Sequence, residues 1–154
     1  ECYFFWGAEM AKTVLTNMTM LEENGRVLVI DRVKRYQGIA FPGGKTDTGE
    51  SIYDSAVREF REETGLVITK MENSGFLYWE GEDEYRYFVF LFQAKEYLGE
   101  LKGDTEEGSV FWMEKEKLRE CKLAPHMEKY LTVFEDSCRE CFCTYKDGYE
   151  PHYR

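Results

Sequence analysis

Ser51 to Gly65 carries a helix start, a helix stop and three glutamates, and no other stretch of the chain restricts its folding so tightly. Ser51 offers its hydroxyl to the backbone three residues on, where Asp54 can reach back in a capping box. Gly65 sits where a helix end wants a left-handed residue. Those bounds predict a helix of about 14 residues. At 100° per residue, Tyr53, Ala56, Val57 and Phe60 fall on one side and predict the packed face. Glu59, Glu62 and Glu63 cluster on the adjacent face. Like charges at i,i+4 cost a few tenths of a kcal/mol, so something must neutralise them. Arg58 can pair with Glu62 across one turn and Arg61 lies nearby, which allows an ordinary solvated acidic face. The upstream residues point elsewhere. Pro42-Gly43-Gly44 forces an irregular turn where backbone can approach a ligand, and Lys45 and Glu50 follow it. Carbonyls, a cation and carboxylates can therefore converge at the helix start. Hard oxygen ligands select Mg²⁺ or Mn²⁺, and Mg²⁺ keeps waters and bridges to phosphates.

Around this segment the pattern is mostly strand. Thr13 to Leu21 and Arg26 to Arg32 flank the turn residues Glu22-Glu23-Asn24-Gly25 and read as a β-hairpin. Val33 to Gly38 is a polar loop before Ile39-Ala40-Phe41. Leu66 to Glu80 and Glu84 to Tyr97, rich in aromatic and β-branched residues, predict two long antiparallel strands, the second buried on both faces. A mobile acidic loop, Leu98 to Gly108, leads to a short strand at Ser109 to Met113. Two helical segments follow, Glu114 to Cys121 and Pro125 to Glu135, with proline in the first turn of the latter. Arg139 to Arg154 adds a final strand before fraying. With no internal repeat or linker, residues 10–154 are expected to form one domain. Residues 1–9 read as an appended or disordered leader, because Met10 would be a natural start and the segment lacks the basic region of a secretory signal.

Charge and composition narrow the function. Thirty acidic against 20 basic residues give a net charge of -10. A duplex nucleic acid would want a basic stripe, which is missing, so a phosphate ligand would need a divalent cation as intermediary. No apolar run approaches the roughly 20 residues that span a bilayer. The cysteines, at 2, 121, 138, 141 and 143, are odd in number in a chain large enough to fold without staples, which favours reduced thiols and a cytoplasmic setting. Cys138-x-x-Cys141 with Cys143 lacks the second half of a structural zinc site.

Gly44, Glu50 and the run Arg58-Glu59-Phe60-Arg61-Glu62-Glu63-Thr64-Gly65-Leu66 together resemble the complete Nudix box, Gly-x5-Glu-x7-Arg-Glu-U-x-Glu-Glu-x-Gly-U, where U is a bulky hydrophobe. Every specified position is filled, and Phe60 is the only unusual choice. Fixed spacing over so many positions makes chance agreement very improbable. The hairpin, the long strand pair and Trp112 followed by helices resemble the rest of such a domain over about residues 12 to 150. The resemblance implies an α/β fold, a Nudix-type α/β/α sandwich around a mixed β-sheet, and a metal-dependent hydrolase of phosphoric anhydrides. In the MutT-like branch the substrate is a nucleoside triphosphate, cleaved to the monophosphate and pyrophosphate, in some members with 8-oxo-dGTP preferred. Position by position, it implies Glu62 and Glu63 as catalytic metal ligands with the Gly43 carbonyl, Glu59 as either a further metal ligand or the residue that orients the attacking water, and Arg58 as the residue that orients these glutamates. Glu50 supports this group, Lys45 touches phosphate, and Glu107 acts as a distal ligand or base, with Glu106 the fallback.

Base recognition is less specified. Phe41, Phe76, Tyr78 and Trp79 are the aromatic candidates for stacking, of which Phe41 and Tyr78 are taken as substrate-binding residues, and His126 as a hydrogen-bonding partner for a purine. The expected partner is a small-molecule nucleotide, with no duplex nucleic acid, no membrane, and a monomer or homodimer as the state. Other readings are a Nudix hydrolase of another nucleoside diphosphate derivative or of RNA 5′-triphosphate ends, and, outside catalysis, a nucleotide-sensing regulatory domain.

Overall fold

A computed structural model describes residues 11–154, so the expectation for residues 1–9 lies outside the described residues. The strands and helices are β1 (Lys12–Glu23), β2 (Arg26–Arg32), β3 (Gly38–Ala40), α1 (Ile52–Thr64), β4 (Val67–Glu80), β5 (Tyr85–Leu98), β6 (Gly108–Glu114), α2 (Met127–Glu135), β7 (Glu140–Thr144) and β8 (His152–Tyr153). The expected helix at Glu114 to Cys121 is a tighter 3₁₀ segment, Lys115–Glu120.

Long-range pairing builds a mixed sheet. β1 runs parallel to β5 from Lys12↔Tyr85 to Leu21↔Ala94. β4 is antiparallel to β5, and β7 is parallel to β4 and paired with β8. β2 leaves β1 through the predicted hairpin and pairs antiparallel with β3 and β6. Side chains alternate across β1, so neighbours serve different layers. Asn17 donates from Nδ2 to the Ser55 hydroxyl of α1 at 2.9 Å. Met18 packs on the opposite face, in a cluster with Leu77, Leu91 and Val133 of α2. The result is the α/β/α arrangement.

α1 begins and ends where the sequence predicts. Ser51 Oγ accepts from the Asp54 backbone N–H at 3.0 Å, and Gly65, at φ 84°, donates to the Arg61 carbonyl at 2.8 Å. Its packed face is rotated from the predicted one. Ala56 and Phe60 are fully buried, joined by Ser55, Glu63 and Thr64, while Tyr53 is 44% exposed and only edges against Phe92. Burying a side chain like Phe60 stabilises by roughly 1.5–3 kcal/mol and fixes how α1 is rotated about its axis. That rotation carries Glu63 inward.

Two other expectations change. β5 is fully buried only at Leu91, Phe92 and Ala94, because both of its ends run past the helices. α2 starts after Pro125, since His126 stands in left-handed backbone at φ 70°. Among the described residues, no helix is long and apolar enough to cross a membrane.

The segment Pro42 to Thr46 runs along the free edge of β1. The amides of Thr19 and Asn17 donate to the carbonyls of Pro42 and Gly44, each at 2.8 Å, and Thr46 N–H donates to Leu15 O at 3.0 Å. A Cβ at Gly43 would overlap the Asn17 carbonyl, so glycine is what permits this close approach.

Candidate active site

Arg58 is the centre of a fan of carboxylates. Its Nε and Nη2 donate to the two oxygens of Glu50 at 2.8 and 3.0 Å, its Nη1 to Glu59 at 2.8 Å and to Glu62 at 3.3 Å, and Nη2 also to the Lys45 carbonyl at 3.0 Å. The hydrogen bond from Arg58 is the main reason Glu50 sits below the usual carboxylate range, and in return it pushes the guanidinium further up. The planar guanidinium therefore ties α1 to the turn before it.

Glu59 also depends on an absent atom. A Cβ at Gly44 would collide with its carboxylate, so the Gly44 backbone forms a cradle that only glycine leaves open. Glu63, 7% exposed, accepts from the Gly43 N–H at 2.8 Å and from Arg32 Nη2 at 3.1 Å. Burial pushes its carboxyl up to about 7, opposed by Arg32 and the Gly43 amide and assisted by the negative charge of Glu59 and Glu107. Carboxylates on one helix face, one buried and one open to water, suit a hard cation that keeps part of its hydration shell.

Arg32 was not singled out by the sequence. Its Nη2 donates both to Glu63 and, at 3.0 Å, to the Gly43 carbonyl, spanning from β2 to the glycine turn. The available signal was positional: it is the last residue of β2, after the buried run Val27 to Ile30, at the point where the chain leaves the sheet.

A cavity of about 600 Å³ gathers Gly43, Lys45, Glu59, Glu62, Glu63 and Glu107, along with Arg32 and Glu106. Arg58 stands behind it and holds its walls. The acidic loop is pinned, since Glu107 O accepts from Val33 N–H at 3.1 Å and Thr105 is bonded to Gly108. Among the described residues no group of three or more His, Cys, Asp or Glu side chains is placed to hold a metal ion. Mg²⁺ does not require one, because it binds through one or two carboxylates and keeps waters. The Gly44 cradle, the inward Glu63 and the exposed Glu62 together fit such an ion.

Two further lobes adjoin this cavity, and all three share Arg32 and Gly44. The inner lobe, about 200 Å³, is lined by Met18, Trp79, Tyr87, His126, Met127 and Tyr130. The outer lobe, about 760 Å³, lies toward Tyr85 and Tyr149. His126 packs edge-to-face on Trp79 at 4.6 Å, and burial lowers its pKa, with Lys129 adding to the effect, which favours the neutral ring. Phe41, expected to stack on a base, is fully buried against Phe134 and is a core residue beneath the glycine turn. Tyr78, the other stacking candidate, faces the opposite side of β4, stacked on Phe88 at 4.6 Å and bonded to Glu80. The alternation of β4 puts its neighbour Trp79 on the cavity side. Cys141 and Cys143 are buried under α2 as free thiols.

A chain with this sheet and this carboxylate shelf is a phosphoric anhydride hydrolase of the Nudix type. The NUDIX domain profile matches residues 12–134, and the chain belongs to the Nudix family. Among its relatives, the uncharacterized Nudix hydrolase YvcI of Bacillus subtilis is 33% identical over 110 residues, 69% of each chain. An 8-oxo-dGTP diphosphatase of Haemophilus influenzae is 31% identical over 116 residues, covering 71% of this chain and 81% of that one. The MutT protein of Bacillus halodurans superposes with a TM-score of 0.72 at 26% identity, over 92% of this chain and 96% of that one. The domain is therefore MutT-like in fold and family.

Proposed function

We propose that this chain is a Mg²⁺-dependent nucleoside triphosphate pyrophosphohydrolase, a nucleotide-pool sanitiser acting on 8-oxo-dGTP or a related (d)NTP. The observation that carries this reading is the cavity where Glu59, Glu62, Glu63 and Glu107 face Lys45 and Arg32, next to a lobe large enough for one ring system. In it Glu62 and Glu63 would hold the cation, Glu59 would hold it or orient the attacking water, and the Gly43 carbonyl would offer the lone pair left beside its bond from Arg32. Glu107 takes the water's proton or adds a ligand, and Lys45 steadies a phosphate oxygen. When bound, Mg²⁺ supplies phosphoryl polarisation and a more acidic water. Water adds to phosphorus, the α–β bridging bond breaks, and nucleoside monophosphate and pyrophosphate leave.

The inner lobe takes the base, stacked near Trp79, with neutral His126 presenting one donor and one acceptor nitrogen. Preference for oxidised guanine draws support from the Haemophilus relative's activity. The test is a Mg²⁺-dependent screen of NTPs and oxidised dNTPs with products resolved. Monophosphate plus pyrophosphate, with a higher kcat/KM for 8-oxo-dGTP than for dGTP, is the expected result. Stepwise phosphate release would overturn the reaction, and equal rates would overturn the base preference. His126→Ala should raise KM with little change in kcat, and an unchanged KM would remove His126 from the base site.

A further inference from the structure

Phe76 and Tyr78 take no part in the glutamate site, and strand register shows what they join instead. Leu15 of β1 stands beside Phe88 of β5, Phe88 beside Tyr78 of β4, Tyr78 beside Phe142 of β7, and Phe142 beside His152 of β8. These five side chains form one row across five strands, about 19 Å long at the usual strand spacing. Tyr78 stacks on Phe88 at 4.6 Å and lies 5.2 Å from Phe142, whose ring is 6.2 Å from that of His152. One row above, Phe76 meets Phe90 at 6.3 Å, and one row below, Glu80 stands opposite Arg86.

Among the described residues, no helix packs over this row. α2 lies on the other side of the same strands, against Leu77 and Cys141. α1 lies on this side but begins at the next row, where Ser55 accepts from Asn17 and Tyr53 edges against Phe92. Leu15, Phe76, Tyr78, Phe88 and Phe142 accordingly belong to neither hydrophobic core cluster. Leu15 is 37% exposed, and Tyr53, at the border with α1, is 44% exposed. An aromatic strip left open beside a helix end is the kind of apolar surface that marks a contact.

Charge says what fits there. At a net charge of -10, two copies of the chain approach most easily where carboxylates are absent or already engaged. The row holds none, and at its margins Glu80 sits 3.8 Å from Arg86 and Asp147 sits 2.6 Å from His152. Its two borders also complement each other. Arg86, half exposed, lies on β5 at the lower border, and the first turn of α1, with exposed Asp54, lies over β1 and β5 at the upper one. We propose that this face pairs two copies of the chain about a two-fold axis running along the row. That rotation lays each row on its twin, with Tyr78 on the partner's Tyr78, and turns each Arg86 toward the start of α1 in the other copy. The face covers about 19 by 14 Å, short of the roughly 800 Å² per partner of a standard interface even with the start of α1 added, so the pairing is weak and concentration-dependent.

Sedimentation velocity of the full chain over a concentration series tests this, and a monomer–dimer equilibrium in the micromolar range is expected. Leu15→Glu enters a two-fold interface twice and should weaken the dimer at least about tenfold, as a charge set against an apolar face does. Arg86→Glu should weaken it by about the same factor through like-charge repulsion. Leu98→Glu, at the far end of β5 where the side chain is 66% exposed, should leave the equilibrium as in the parent. Melting temperatures close to the parent's show that each variant is folded, and Arg86→Glu carries the test alone if Leu15→Glu is not. A chain that stays monomeric into the millimolar range would overturn the proposal, as would a dimer that Leu15→Glu and Arg86→Glu leave intact. Deleting residues 1–10 should change nothing. A chain that pairs only after that deletion would overturn the proposal too, because its own N-terminal segment would then occupy the face.

Discussion

Glu62 and Glu63 adjoin in sequence, yet their side chains are 60% and 8% exposed. Glu62 has one long bond to Arg58 and little structural work, so Glu62→Gln should leave the melting temperature nearly unchanged, as surface substitutions do. Turnover should fall about 100-fold or more if the carboxylate holds metal. Activity near the parent level in that variant would take Glu62 out of the site. Glu63 is the titrating member. Its folded pKa of about 7 lies above the ordinary 4.5, so its stabilising contribution is complete below pH 4.5 and is lost as pH rises through 7. The shift corresponds to about 3 kcal/mol at most. Metal-free protein should therefore lose stability relative to Glu63→Gln between about pH 4.5 and 7 and change little above that. Comparing the two proteins isolates Glu63 from His126, whose lowered pKa acts the opposite way in that window. A melting-temperature difference that stays constant across those pH values in EDTA would contradict the assignment.

At the scale of elements, the site is the junction of α1 with the glycine turn along β1. Gly44→Ala puts a methyl group against the far end of Glu59, a flexible side chain that can swing away. The variant should fold normally and lose most of its turnover, and a melting curve beside a rate measurement checks both; unimpaired turnover would show that the cradle is irrelevant. Gly43→Ala meets the Asn17 carbonyl, which is backbone and cannot yield, so there the loss should appear in stability. α1 was legible in the sequence because Ser51 and Gly65 cap it by local chemistry. The box residues were legible because their spacing is fixed by one helix. What could not be read depends on pairing between distant segments: the parallel β1–β5 ladder, the burial of Phe41, and the choice of Trp79 over Tyr78, which turns on one residue of strand register. Arg32 was missed for the same reason, since its partners Gly43 and Glu63 are 11 and 31 residues away. The start of α2 moved because His126 adopts a backbone conformation that composition does not predict.

Across the whole molecule, an acidic chain surrounds a small region where Arg32, Arg58 and Lys45 stand among glutamates. Its surface repels free polyphosphate, and a cation on the shelf reverses the local sign. Binding of nucleotide should accordingly need divalent metal and weaken in EDTA, as calorimetry with and without Mg²⁺ would report; metal-independent binding would contradict this. The most direct test of the central claim is ³¹P NMR of GTP and 8-oxo-dGTP hydrolysis, run with Mg²⁺, with EDTA and with Glu62→Gln. The account predicts nucleoside monophosphate and pyrophosphate signals in the first case alone. Nucleoside diphosphate and orthophosphate as products, or the same rate in all three, would contradict it.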